Sequence, residues 1–180
     1  MNTKTISLCA SLLLAASGWL QAGEPGQTKP LSPEFERLKT LAGTWTGKAD
    51  MGQGPVDLTL EFRLVAGGTV LEERSAPGTP MEMVTMFYDK GGKLALTHYC
   101  VMGNRPEMAL KSSDAKSITF DFDSCCAIDT KKESHMHGMT IQFDDADTIT
   151  SHCQAMINGA EVTDHGATFK RVKSDTSAAR

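Results

Sequence analysis

Apolar and polar residues alternate along most of the chain, the pattern of β-strands that have one buried and one exposed face. The clearest run is 56–64, where every second residue is apolar. Nine further runs resemble short strands and are separated by turn signals, of which Asn158-Gly159 is the strongest. They cover 44–50, 69–76, 81–88, 93–102, 107–112, 117–123, 134–143, 147–157 and 161–172. About ten strands with local connections predict an all-β fold, an antiparallel up-and-down β-barrel.

A helical period occurs once, before the first strand. Phe35, Leu38 and Leu41 recur at helical spacing. The Ser-Pro-Glu sequence at 32–34 supplies an N-cap, a proline at the first helical position and an acid in the first turn. The pattern predicts one short N-terminal helix over about 33–41.

Both ends of the chain lack this alternation. Residues 1–22 have the form of a signal peptide, with one lysine, a short apolar core and the small residue Ala22 at the cleavage position. We therefore expect a periplasmic or secreted protein. Residues 23–31 are expected to form a flexible tether and 174–180 a disordered tail, which leaves 32–173 for the barrel.

Charge and hydropathy narrow the range of partners. The formal net charge is −4 and the chain has no basic run, which argues against nucleic acid as a partner. The apolar stretch near the N-terminus is too short for stable membrane insertion. We expect a monomer or dimer whose partner is a small-molecule ligand.

The most unusual chemistry lies in two stretches rich in histidine, cysteine and methionine. Because side chains alternate between the faces of a strand, each stretch places three of them on one face, and Met136 faces away. The two sets are His98, Cys100 and Met102 on one strand, and His135, His137 and Met139 on another. We expect both sets to converge near one mouth of a cavity inside the barrel.

Two kinds of binding site fit these residues. The first is a polar pocket for a small organic ligand, to which Arg105 could contribute. The second is a transition-metal site, because imidazole and sulfur ligands suit copper or zinc better than magnesium or calcium. Its predicted ligands are His98, Cys100, His135 and His137.

A third class of function, a small exported enzyme, has the weakest support. Cys100 and His98, with Glu107 or Asp164, contain the groups of a nucleophile, a base and an orienting acid. However, Cys100 and His98 lie two apart on one strand, so their side chains run parallel. No established catalytic motif is present in the sequence, and we assign no catalytic residues.

Four cysteines follow the signal sequence: Cys100, Cys125, Cys126 and Cys153. An oxidising compartment permits disulfides, and four cysteines allow three full pairings. A bond between the adjacent Cys125 and Cys126 would require a strained ring. The simplest pairing joins one of these two to Cys153 and leaves Cys100 available.

Motifs at the two ends of the barrel segment resemble those of calycin-like barrels, the superfamily of lipocalins, fatty-acid-binding proteins and nitrobindin-type haem proteins. They are Gly43-x-Trp45-x-Gly47 after the helix and Ala167-Thr-Phe-Lys-Arg-Val172 at the end of the last strand. The resemblance implies that Trp45 packs across the barrel floor and that Arg171 lies against its ring. Because nitrobindin-type barrels hold haem through a histidine of a late strand, the resemblance also makes haem an alternative ligand, held by His152 or His165.

Four other stretches resemble exported barrels from domain-of-unknown-function families. They are Val65-Ala-Gly-Gly-Thr-Val-Leu-Glu-Glu73, Leu96-Thr-His-Tyr-Cys100, Gly103-Asn104 with Pro106, and His135-Met-His137. This resemblance covers about 33–173 and supports the fold more than a function.

Overall fold

The computed structural model describes residues 30–50, 54–124 and 127–173, and for 161–165 the backbone only. The strands are β1 Gly43–Asp50, β2 Pro55–Val65, β3 Val70–Ser75, β4 Met83–Lys90, β5 Lys93–Tyr99, β6 Glu107–Ser113, β7 Ser117–Phe122, β8 His135–Phe143, β9 Thr148–Ile157 and β10 Ala160–Arg171. Each strand pairs antiparallel with its neighbours in sequence, and β1 pairs with β10. The predicted all-β, up-and-down closed barrel of ten strands is therefore confirmed.

Several expectations concern parts of the chain outside the described residues. These parts are the signal sequence at 1–22, most of the tether at 23–31 and the tail at 174–180. Cys125 and Cys126 also lie outside them, so their disulfide pairing stays a prediction. Within the described ranges, no helix has the length and apolar character needed to cross a bilayer.

The predicted N-terminal helix is present as α1, Pro33–Leu38, and continues into a 3-10 turn, Lys39–Leu41. Ser32 caps it, because its hydroxyl accepts a hydrogen bond from the backbone N–H of Phe35 at 3.2 Å. The same hydroxyl donates to Asp89 at the end of β4, at 2.7 Å. These bonds hold α1 against one end of the barrel, where its apolar face is buried.

The structure explains why both outer positions of the Gly-x-Trp-x-Gly motif are glycine. Gly43 adopts a φ of 127°, which residues with a Cβ rarely adopt. A Cβ on Gly47 would lie 2.3 Å from the carbonyl oxygen of Thr168, so only glycine lets β1 and β10 approach this closely. The motif therefore marks the place where the first and last strands join.

Trp45 and Arg171 take the positions that the resemblance implies. The indole is fully buried, and its N–H donates to the Leu41 carbonyl at 2.8 Å. The Arg171 guanidinium lies 4.2 Å from the centre of the ring and donates to the carbonyls of Ala42 and Thr40. Ring and guanidinium together tie the 3-10 turn to the seam between β1 and β10.

The helix end of the barrel is filled by large apolar side chains. Those with less than 2 % exposure include Phe35, Trp45, Leu71, Phe87, Leu94, Leu96, Phe120 and Ile141. The Phe87 and Phe120 rings lie 5.7 Å apart in a tilted arrangement. Toward the opposite end the interior is not filled, and a cavity remains.

Candidate functional site

The cavity lies inside the half of the barrel away from α1 and has a volume of about 200 Å³. Side chains from β1 to β5 and from β8 to β10 line it, near the ends of strands that lead into the loops at 76–82 and 100–106. Most of the wall is apolar, with Leu58, Leu60 and Phe169 among its members. The cavity extends to the surface beside Met102, which is 45 % exposed.

The stretch 98–102 contributes three side chains to this cavity, although the predicted strand 93–102 ends at Tyr99 and a turn follows it. His98, Cys100 and Met102 all line it. His98 is buried, and its Nδ1 lies 2.9 Å from the Thr85 hydroxyl. Burial lowers the pKa of His98 to about 4, so the imidazole is uncharged at neutral pH.

A β-bulge in β8 changes the faces that the sequence predicted. Met136 and Gly138 pair with consecutive residues of β9, and His137 between them has no paired residue there. One extra residue shifts the alternation by one position, so Met136 and Met139 both line the cavity. The prediction that Met136 faces away from the interior is therefore wrong, because a bulge interrupts the regular period.

His135 and His137 form a separate cluster with Phe122. The Nδ1 of His135 lies 2.8 Å from the Glu133 carbonyl, and its Nε2 lies 3.0 Å from Nδ1 of His137. The His137 ring stacks on Phe122, with centroids 5.1 Å apart. Neither histidine belongs to the cavity lining found among the described residues. Both ring nitrogens of His135 have hydrogen-bond partners, as is typical of a structural histidine.

The predicted metal set is thus divided between two places. His98 and Cys100 lie at the cavity, whereas His135 and His137 lie beside Phe122. Across 30–50, 54–124 and 127–173, no group of three or more His, Cys, Asp or Glu side chains is arranged to hold a metal ion. The bulge explains this division, because it turns Met136 toward the cavity in place of the two histidines.

Three other residues singled out from the sequence lie away from the cavity. Arg105 is exposed in the loop after β5. His152 lies on the outer face of β9, with its ring 2.8 Å from where a Cβ of Gly166 would stand. Glu107 pairs with Lys90 at 3.1 Å. The side chains of the other two candidates, at 164 and 165, fall outside the description.

A row of three buried polar side chains crosses the cavity wall. The strand register places Glu73 opposite Thr85, and Thr85 opposite His98. All three are buried and line the cavity. The Oε2 atom of Glu73 has no hydrogen-bond partner among the described residues. A buried carboxyl oxygen without a partner is costly, which makes Glu73 a candidate binding residue.

Adjacent glutamates on β3 have opposite electrostatic environments. The hydrogen bond from Arg74, at 2.8 Å, and the charge of Arg63 lower the pKa of Glu72 despite its burial. Glu73 has no such partner, and burial raises its pKa to about 7. Near neutral pH, the cavity therefore contains a carboxyl group that exchanges readily between its protonated and ionised forms.

Glu73 was not among the predicted site residues, although alternation along β3 indicates that it faces inward. Leu71, Glu73 and Ser75 alternate along β3, and all three are buried. Because Leu71 has to face the core, period-two alternation places Glu73 inside as well. Met83 and Thr85 follow from Phe87 in the same way, since every second residue of β4 faces inward.

No family model matches the chain, and no curated protein matches it. Among solved structures, it is similar to a protein of unknown function from the DUF3598 family of Nostoc punctiforme PCC 73102. The two are 17 % identical with a TM-score of 0.42, and the alignment covers 84 % of this chain and 53 % of the other. This chain thus spans about half the length of that protein.

Proposed function

We propose that the protein binds a small organic molecule in the cavity at the open half of its barrel. The supporting observation is the apolar cavity whose wall contains the buried row Glu73, Thr85 and His98. Ligand sites are typically apolar pockets with a few placed polar groups. The row supplies these groups on three adjacent strands, so their spacing is set by the rigid sheet.

The volume indicates the size of ligand. An apolar cavity of about 150 Å³ in another protein binds benzene. The cavity here, at about 200 Å³, suits a molecule somewhat larger than benzene. Benzyl alcohol, a ring with one polar end, is therefore a suitable uncharged probe.

We expect benzyl alcohol to bind the wild-type protein and to bind Ala167→Phe at least about tenfold more weakly, a loss of roughly 1.4 kcal/mol. Ala167 lines the cavity, and a phenyl ring there would occupy the space of the probe. Binding is measured by titration calorimetry or from chemical-shift changes.

Thr168→Phe is the matched control. Thr168 is the next residue on β10 and is exposed on the outer face, so the same added ring leaves the cavity unchanged. Equal binding to all three proteins would place the probe outside the barrel and contradict the proposal.

Copper(I) is a second candidate ligand, because the bulge in β8 adds sulfur to the cavity wall. Four methionines line it, together with Cys100 and His98. They are Met83, Met102, Met136 and Met139. Thioether, thiolate and imidazole groups are the donors that copper(I) prefers, so the donor set fits this ion.

We expect Met136→Leu combined with Met139→Leu to weaken copper(I) binding at least about tenfold, since it removes two sulfur donors while keeping similar side-chain volume. Competition with a coloured copper(I) chelator measures the affinity. Met81→Leu is the control, because Met81 is 52 % exposed and lies outside the cavity lining. An unchanged affinity in the double variant would exclude Met136 and Met139 as copper(I) ligands and remove the observation that supports this candidate.

We also propose that the protein is exported, as the pattern of residues 1–22 indicates. A relation to the calycin-like barrels is a further proposal. Its support is the close approach of β1 and β10 at Gly47 and the packing of Arg171 on Trp45.

A further inference from the structure

We infer that the ligand of the cavity is a small hydrophobic amine whose protonated nitrogen is seated against the carboxylate of Glu73. This inference rests on the proposed binding function and specifies the chemical class of the ligand. Its basis is the placement of Glu73, which is buried, lines the cavity and has an oxygen without a partner.

The charges around the cavity favour a cation. Its described lining contains two acids, Asp50 and Glu73, and neither lysine nor arginine. His98 adds no positive charge at neutral pH, because burial holds its pKa near 4. An anionic ligand such as a fatty acid would meet no opposite charge there and would be repelled by the acids. An ammonium group would compensate the buried carboxylate.

Hydrogen bonding also favours an amine over an uncharged polar group. An ammonium group in the cavity compensates the charge of the Glu73 carboxylate, whose buried Oε2 atom lacks a donor among the described residues. A bond between two charged groups is shorter and about twice as strong as one between neutral groups. Arg74 of β3 and Arg63 of β2 form ion pairs with Glu72. An ammonium group of the ligand would supply the partner that Glu73 lacks.

The apolar wall accounts for the rest of the molecule. Leu60 pairs with Ser75, the last residue of β3, and Phe169 of β10 also lines the cavity. The methionines of β8 are flexible and adapt to different ring or chain shapes. The ligand class is therefore an amine attached to a compact apolar body of about the size of one ring.

The test compares three probes of nearly equal size and different charge: benzylamine, benzyl alcohol and benzoate. We expect benzylamine to bind wild type at least about tenfold more tightly than benzyl alcohol, and benzoate not to bind measurably. Glu73→Gln should reduce the affinity for benzylamine at least about tenfold, because the amide carries no charge. Its affinity for benzyl alcohol should change little.

Glu61→Gln is the matched control. Glu61 lies on the adjacent strand β2, is exposed on the outer face, and loses the same charge in the variant. Both probes should bind it as they bind wild type. An equal loss of benzylamine affinity in this variant would show an effect of net charge alone and would overturn the inference.

The pH profile of the unmodified protein supplies a measurement that needs no variant. Because burial raises the pKa of Glu73 to about 7, affinity for benzylamine should rise between pH 5.5 and 8, while affinity for benzyl alcohol stays flat. The strands beside Glu73 present Phe62 and Thr85, which do not titrate. Other titratable groups on the cavity wall are Asp50, His98, Cys100 and Cys153. A profile that Glu73→Gln shares would assign the effect to one of these groups instead.

The outcomes separate the inference from the proposed function. If benzyl alcohol and benzylamine bind equally well, the cavity binds ligands but the inference fails. The inference also fails if benzoate binds best. If none of the three probes binds, the proposed function fails, and the inference fails with it.

Discussion

Replacing Trp45 by alanine is expected to lower the free energy of unfolding by about 3–5 kcal/mol, the range for removing a large buried aromatic side chain. The ring is fully buried and fills the helix end of the barrel. Its loss leaves a cavity, removes the hydrogen bond to the Leu41 carbonyl and removes the ring on which Arg171 packs. Urea unfolding, followed by far-UV circular dichroism, measures the change.

Trp45→Phe serves as the comparison. Phenylalanine keeps an aromatic face beneath Arg171 but has no N–H for the Leu41 carbonyl, which leaves one buried acceptor without its donor. We expect a loss of about half that of alanine, roughly 2 kcal/mol. A loss below about 1 kcal/mol in Trp45→Ala would mean that the ring contributes little to the stability of the barrel.

Glu73 and His98 are expected to make stability depend on pH in opposite directions. The pKa of Glu73 is raised to about 7, so its contribution is fully present below pH 4.5 and is lost as pH rises through 7. The pKa of His98 is lowered to about 4, so its contribution is present above pH 6.5 and is lost as pH falls through 4. The two slopes largely cancel between pH 4.5 and 6.5.

Single variants should reveal each slope. Relative to wild type, Glu73→Gln should gain stability as pH rises from 4.5 to 7, and His98→Gln should gain stability as pH falls from 6.5 to 4. Each relative change is expected to reach about 3 kcal/mol, since one pKa unit corresponds to about 1.4 kcal/mol. The free energy of unfolding in urea at four pH values measures both.

Comparison with wild type at each pH removes the contribution of all other titrating groups. Parallel curves for the three proteins would contradict the opposite effects of burial on the two side chains. A variant that is less stable at every pH but keeps the expected relative slope would still support the argument, because the slope depends only on the titration.

The fold could be predicted from local pattern because each strand repeats the same simple rule. Alternation along 56–64 and the turn at Asn158-Gly159 identify strands without reference to the rest of the chain. These features depend on neighbours in sequence, which a single sequence contains. The packing of Arg171 on Trp45 joins residues far apart in sequence, so it was predicted only from the resemblance to known barrels.

The site could be predicted only in part, for two different reasons. The face of His98 followed from alternation, and Glu73 would have followed from Leu71 in the same way. The bulge at His137 depends on how β8 pairs with β9, and no residue pattern along β8 reveals it. His137 was predicted as a site residue because histidine is a common ligand. Glutamate is an ordinary residue type, and Glu73 is unusual only because the folded barrel buries it without a partner.

The seam between β1 and β10 has a consequence for the order in which the barrel forms during synthesis. Its paired positions join Trp45 to Arg171, a separation of 171 − 45 = 126 residues, and the register contains three pairs. A chain made from its N-terminus can pair β1 with β2 early, but the other side of β1 stays an open edge until the last strand emerges. An open strand edge can pair with another chain. The nascent protein therefore carries this aggregation risk for nearly its whole length, and completion of β10 ends it.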